Sequence, residues 1–279
     1  MSKASRLRVL VTRPRAQARE WVEDLAAEGI EAAALPLIGI EPPADVPAVH
    51  AAWRSLSSRT LLIFVSPNAA AQFFAQRPAG CEWPAGLRAA APGPGSSAAL
   101  REAGVPASAI VEPDACGERF DSEALWAELA TSGTWQGASA LIVRGGVDGD
   151  PRGSGRDWLA RTLSEAGATV EFLAAYRRTA PQLNADEQAV WARALAAPAE
   201  HLWLFSSSEA IDHLERLAPG PALSSRPWAT AQVLATHPRI AERARAAGFA
   251  RVVQAPPTRA AIVAAIRAAQ ERPIESDAP

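Results

Sequence analysis

One short cycle recurs along the chain and limits what it can fold into. An apolar run meets a turn carrying Ser, Thr or Pro, and a helical stretch closed by glycine follows. LRVLV (7–11) is a run of β-formers that meets Thr12-Arg13-Pro14. The next residues, 15–28, read as a helix with Trp21, Val22 and Leu25 at helical spacing and Gly29 as the stop. LLIFV (61–65) leads into Ser66-Pro67-Asn68 and an Ala- and Phe-rich helix. Gly93-Pro94-Gly95-Ser96 opens a helix ending near Gly104, and ALIVR (140–144) leads through a glycine-rich loop to a helix over 156–166 closed by Gly167. Strand–helix alternation of this length predicts α/β units built on parallel sheets.

The cycles also echo one another. TLLIFVSPNAAAQFF (60–74) is mirrored by HLWLFSSSEAIDHLE (201–215), LRVLVTRP (7–14) by ALIVRGG (140–146), and RAAAPGPGSSAALREAG (88–104) by QVLATHPRIAERARAAG (232–248). The echoes predict two similar parallel-sheet α/β domains. They are not in tandem order, so one domain is inserted in the other: residues 1–38 with 178–279 form the first, and residues 43–171 the second. Two extended segments, near 35–43 and 170–181, then form a two-stranded linker, with Pro42-Pro43 and Pro181 favouring extended backbone around the crossings. The tail, 271–279, is polar and proline-bearing and is expected to fray.

Composition removes several function classes. Two cysteines, Cys81 and Cys116, neither in a CxxC, and four scattered histidines leave no disulfide framework and no spacing suited to a metal site. A net charge of −2 gives no basic stripe for nucleic acid. No apolar run reaches the roughly 18 residues of a membrane span. The opening MSKASRLRVLVTRP lacks a signal-peptide pattern, so the expected compartment is the cytoplasm. Without an obvious apolar patch, the expected state is a monomer. One compositional oddity stands out: the chain has nine Trp and seven Phe but a single tyrosine, Tyr176, inside the second crossing.

Candidate site residues cluster where strands end. Backbone N–H groups at a helix start carry a positive partial charge and bind anions. Such ends recur at Thr12-Arg13, Ser66 and Asn68, Ser96, Ser206 and Ser207, Thr236 and Thr258. At any one of these positions plain N-capping is the favoured reading, and it is the collection that points to a ligand. Two such rims facing each other would form one cleft, beyond the carboxyl ends of the strands where α/β sheets hold ligands. Arg13 and Arg144 occupy equivalent places after a strand, and Arg177 and Arg178 follow the tyrosine; each is a carboxylate clamp or a surface ion pair. VRGGVDGDPRGSGR (143–156) matches neither glycine fingerprint for nucleotides and reads as a loop over the cleft or as a connector. Asp121 or Ser122 is a natural helix cap, a role favoured over a catalytic dyad of Asp121 with Glu123. His237, at a Thr-His-Pro turn, reads as structural or ligand-facing rather than as a general base, and Tyr176 is either a structural hydroxyl or a functional one.

VLVTRP (9–14), LPLIGIEP (35–42), IFVSPNAA (63–70), PGPGSSAAL (92–100), DSEALW (121–126), LIVRGG (141–146), GRDWL (155–159), AYRRTAP (175–181), FSSSEAI (205–211), ATHPRIAERARAAGF (235–249) and APPT (255–258), in that order and spacing, resemble uroporphyrinogen-III synthases over nearly the whole chain. The resemblance implies two α/β domains with one inserted, no metal and no organic cofactor. It implies a hydro-lyase that closes the linear tetrapyrrole hydroxymethylbilane to uroporphyrinogen III, inverting the last ring, in heme biosynthesis. The family's linker tyrosine matches Tyr176, a proton donor to the leaving hydroxyl. Arg13, Ser66, Asn68, Ser96, Arg144, Ser206, Ser207, Thr236 and Thr258 are the substrate-binding candidates. The chain departs from many relatives in having Val65 and Ser96 where they have Thr. A non-enzymatic two-domain sensor of a small anion, closing like a hinge, is the alternative that the cleft features also allow.

Overall fold

Apolar runs without polar alternation become strands covered on both faces, as parallel sheets require. In a computed structural model, which describes residues 7–114, 121–131, 133–146, 157–218 and 226–271, the runs at 7–11, 61–65 and 201–205 are strands whose residues are almost all buried. In chain order the elements are β1 (Arg8–Val11), α1 (Arg15–Ala27), β2 (Ala32–Ala34), β3 (Gly39–Glu41), α2 (Val46–Arg54), β4 (Leu61–Phe64), α3 (Pro67–Ala75), β5 (Arg88–Ala90), α4 (Pro94–Glu102) and β6 (Ile110–Val111). There follow α5 (Ser122–Ala130), β7 (Ser139–Gly146), α6 (Asp157–Glu165), β8 (Thr169–Thr179), α7 (Ala185–Ala196), β9 (His201–Phe205), α8 (Ser208–Leu217), β10 (Gln232–Ala235), α9 (Pro238–Ala246), β11 (Arg251–Gln254) and α10 (Arg259–Glu271).

The chain divides into two units, Met1–Gly39 with Ala180–Pro279, and Ile40–Thr179. The first holds a five-stranded sheet ordered β11-β10-β9-β1-β2, parallel throughout. The chain starts at β1, places β2 on one side, and returns to build β9, β10 and β11 on the other, so the winding reverses between β1 and β9. The second unit has a six-stranded sheet ordered β3-β8-β7-β4-β5-β6, with parallel pairing from β8 through β6. Here the winding reverses between β4 and β7. Such reversals open a crevice at the carboxyl ends of the strands, where doubly wound sheets bind ligands. The two segments expected to cross between domains are themselves strands: β3 and β8 are hydrogen-bonded neighbours at one side of this sheet.

Local chemistry sets where each helix begins. Proline stands at the first helical position of α3, α4 and α9, where its missing N–H costs nothing and its fixed φ suits the helix. Asp45, Ser66 and Asp121 accept a hydrogen bond from the third residue of the helix they precede. Asn184 and Glu187 form a reciprocal capping box at α7. Gly29, expected as the stop of α1, has φ +73, a left-handed conformation that glycine adopts without strain.

In the first unit, Val9, Val11, Leu202, Leu204 and Leu234 pack against Leu25, Ile262 and Ile266. Trp203, Phe205, Trp228 and Phe249 form an aromatic cluster in the same unit, and the Trp228 indole N–H donates to Ala247 O. In the second unit, one side of the sheet packs Phe64, Leu141, Val143 and Leu173 on Trp53, Phe73 and Leu100. The other packs Ile63, Ala140 and Ile142 on Leu125, Leu159 and Leu163.

Candidate active site

The geometry around Tyr176 starts from one extra residue in β8. Arg144 pairs with Ala174, but Gly145 pairs with Tyr176, so Ala175 is skipped. Side chains alternate between faces of a strand, and a bulge re-aims everything beyond it. Before the bulge, Leu173 lies on the Phe64 side of the sheet; after it, Tyr176 lies on that same side. Regular alternation would have put Tyr176 on the opposite face, with Phe172 and Ala174.

Re-aimed in this way, the ring of Tyr176 lies across β7. Strands are about 4.8 Å apart, so β8 and β4 are separated by about 10 Å with β7 between them. At the crossing point β7 has Gly145, and an added Cβ there would sit 2.5 Å from Tyr176 Cζ. With the way clear, Tyr176 Oη comes within 3.2 Å of Ser66 Oγ, just past the end of β4. Ser66 caps α3, its Oγ accepting from Ala69 N–H at 3.1 Å. The hydroxyl pair therefore stands at the positive end of a helix and beside the crevice where the winding reverses. Tyr176 is 1% exposed, and Ser66 is half-buried. Two hydroxyls in contact at a helix N-terminus can pass a proton outward and stabilise the oxygen left behind.

The other candidates of this unit are distributed around the same strand ends. Asn68 lies in the first turn of α3. Ser96 is buried in the first turn of α4, which packs closely on α3: a Cβ at Gly95 would meet Pro67 Cγ at 3.3 Å. Arg144 lies within β7 rather than after it, because hydrogen bonding to β8 continues to Gly146. It is buried, with its guanidinium 4.4 Å from the Phe172 ring, and alternation from Val143 puts it on the face of β7 opposite Tyr176. Arg177 pairs with Glu41 at 2.8 Å. Asp121 caps α5 through Ala124 N–H, the role favoured by its place in the sequence. Cys116 and the glycine-rich residues 147–156 lie outside the described residues.

In the first unit, Thr12 and Arg13 follow β1 and Ser206 and Ser207 follow β9, so both pairs border the reversal between those strands. Thr12 ties the two strands together, its Oγ1 donating to Leu204 O at 2.7 Å. Arg13 stacks 4.7 Å from the Trp21 ring, and its buried Nε has no hydrogen-bond partner among the described residues. Burial pushes its guanidinium down to about 10, with Glu20 acting in the opposite direction. Thr236 follows β10 and is buried. Thr258 caps α10 through Ala261 N–H. His237 caps α9, Nδ1 accepting from Arg239 N–H, which leaves the neutral ring's proton on Nε2. His213, not singled out by the sequence, is buried with Nδ1 2.6 Å from Leu37 O. In the sequence Gly145 reads as part of LIVRGG and of the glycine-rich segment 143–156 expected to be a loop, whereas it lies inside β7; its role depends on a ring contributed from 31 positions later.

The sequence pattern of uroporphyrinogen-III synthase HemD matches residues 19–264, most of the chain. The chain belongs to the uroporphyrinogen-III synthase family. Its similarity to the uroporphyrinogen-III synthase of Salmonella typhimurium is 31% identity over 183 residues, 65% of this chain and 69% of that one. Two solved structures share the fold. A mutant uroporphyrinogen III synthase from the extremely thermophilic bacterium Thermus thermophilus aligns with TM-score 0.54 at 18% identity, over 95% of this chain and all of that one. The uroporphyrinogen-III synthetase of Helicobacter pylori aligns with TM-score 0.56 at 13% identity, over 94% and 99%. Membership of the uroporphyrinogen-III synthase family accords with the parallel α/β fold expected from the sequence. Among the described residues of this family member, no helix is long and apolar enough to cross a membrane.

Proposed function

We propose that this member of the uroporphyrinogen-III synthase family is a hydro-lyase that closes hydroxymethylbilane to uroporphyrinogen III. The observation that carries the site assignment is the contact between the Tyr176 and Ser66 hydroxyls at the start of α3. In the reaction, the C–O bond of the substrate's hydroxymethyl group breaks. The departing hydroxide takes a proton from Tyr176 and leaves as water, while the adjacent pyrrole nitrogen stabilises the cation that remains. The substituted carbon of the last ring then attacks that cation, forming the carbon–carbon bond of a spiro intermediate. Reopening and reclosure invert the ring, and loss of a ring proton restores the aromatic pyrrole and balances the one Tyr176 gave. General acid assistance of this kind contributes typically 10²–10⁴-fold.

The remaining work is orientation, which is worth several kcal/mol when reacting atoms are held in line. The substrate's carboxylates are assigned to Arg13, Ser66, Asn68, Ser96, Ser206, Ser207, Thr236 and Thr258, beside strand ends and helix starts that suit anions; Arg144, buried inside β7 on the face away from Tyr176, is left out of that set. The buried Nε of Arg13, without a hydrogen-bond partner among the described residues, supports its place in the carboxylate-binding set. The reading keeps the chain as a cytoplasmic monomer, as expected from its sequence, and as working without metal or organic cofactor, as the family resemblance implies. No observation favours a non-enzymatic anion sensor over the synthase. The test is to supply purified chain with hydroxymethylbilane and separate the isomers formed. The type-III isomer is the expected product; the spontaneous type-I isomer alone would reject the reading.

A further inference from the structure

We infer that Gly145 is a positioning residue for the reaction, because the missing side chain at this point of β7 is what lets Tyr176 reach across the strand to Ser66. The inference rests on the proposal that Tyr176 gives up the proton. Three observations carry it. First, Tyr176 and Ser66 come from strands that are not neighbours, and the ring must pass over β7 to join them. Second, a Cβ on Gly145 would lie 2.5 Å from Tyr176 Cζ, 2.7 Å from Cε2 and 2.9 Å from Oη, so even one methyl displaces the ring and its hydroxyl. Third, the backbone does not itself require glycine here, since Gly145 is not among the residues with positive φ. Glycine inside a strand weakens it and marks a bulge or a close approach; at this position both are present, the approaching group being the tyrosine ring.

Gly146 provides the control. A Cβ there meets Ala174 Cβ at 3.3 Å and Tyr176 O at 3.6 Å, ordinary or slightly tight contacts that do not involve the ring. A strand that merely disliked side chains would respond to both glycines alike.

The experiment compares Gly145→Ala, Gly146→Ala, Tyr176→Phe and the double variant Gly145→Ala/Tyr176→Phe in steady-state turnover of hydroxymethylbilane. Gly145→Ala is expected to lower kcat about 10²-fold with little change in KM, as a displaced reacting group does, and Gly146→Ala to cost far less. The double variant should be no slower than Tyr176→Phe alone, because a displaced ring without a hydroxyl has nothing further to lose. Tyr176 is the single tyrosine, so 3-fluorotyrosine labelling gives a 19F signal from this ring alone. That signal should move in Gly145→Ala and hold in Gly146→Ala. Wild-type turnover in Gly145→Ala, or a double variant slower than Tyr176→Phe by the full Gly145→Ala factor, would overturn the inference. Wild-type turnover in Tyr176→Phe would instead reject the proton-donor reading beneath it. Should Gly145→Ala fail to fold, Gly145→Ala/Tyr176→Ala removes the colliding ring and should fold; failure of that variant also overturns the inference.

Discussion

Tyr176 Oη lies 3.2 Å from Ser66 Oγ, although β8 and β4, which place them, are separated by β7. The contact depends on the bulge that turns Tyr176 to the Phe64 side of the sheet and on a glycine beneath its ring. It also depends on Ser66 itself, which holds two roles with one oxygen.

Ser66→Ala removes both. Loss of the N-cap of α3 should lower stability by about 1 kcal/mol, read as a shift in the urea midpoint. Turnover should also fall, but less than in Tyr176→Phe, because the phenol stays in place. Ser66→Thr keeps the hydroxyl and should recover most of both. Equal stability losses with wild-type turnover in Ser66→Ala would reduce Ser66 to a helix cap.

Arg13 separates binding from stability. At neutral pH its guanidinium is charged in the folded and the unfolded chain alike. Burial, which pushes it down to about 10, therefore destabilises the fold until the pH rises past that value. Arg13→Met should leave the unfolding midpoint at neutral pH unchanged or higher. If Arg13 holds a substrate carboxylate, KM should rise about 10-fold or more, since a charge-assisted hydrogen bond is worth about 1.5–3 kcal/mol. A lower midpoint with unchanged KM would make Arg13 a structural side chain.

Glu187 sets part of the acid limit of stability. Hydrogen bonds from Arg15, with Asn184 N–H adding to them, hold its carboxyl below the usual carboxylate range. The folded chain then binds this proton less readily than the unfolded one. The stability it contributes is present above the ordinary carboxylate pKa of about 4.3 and is lost as the pH falls through the lower folded value. Arg15 is 44% exposed on its side chain, so the pair is worth about 1 kcal/mol at most. Glu187→Gln preserves the capping geometry at α7 and should lower stability at pH 7 while flattening its acid dependence. Unfolding curves between pH 3 and 7 check this.

Much of the fold is legible because parallel sheets need strands that are apolar on both faces, and 7–11, 61–65 and 201–205 are such runs. Helix starts are legible where chemistry is local, as with Pro67, Pro94 and Pro238 or the Asp121 cap. The site is legible in a different measure. Composition singles out Tyr176, and the strand-end pattern singles out Ser66. Their contact spans 110 positions and two strand spacings, which no local pattern encodes. The bulge at Ala175 is equally hidden, because skipping one small residue leaves no mark on hydropathy. For the same reason Arg144 reads as a residue beyond its strand, whereas pairing with β8 keeps it inside β7. The Arg15–Glu187 pair joins helix starts 172 positions apart and is decided only by the packed sheet.

The central claim is that the Tyr176 hydroxyl supplies the proton for departure of the hydroxyl group, and a single-turnover rate with Tyr176→Phe tests it most directly. The variant removes one oxygen and its contact to Ser66, so its unfolding free energy should change by no more than about 1.5 kcal/mol. The account predicts ring closure slowed by about 10²-fold or more, with type-III isomer still formed. Ring closure at the unsubstituted rate by the folded variant would contradict it.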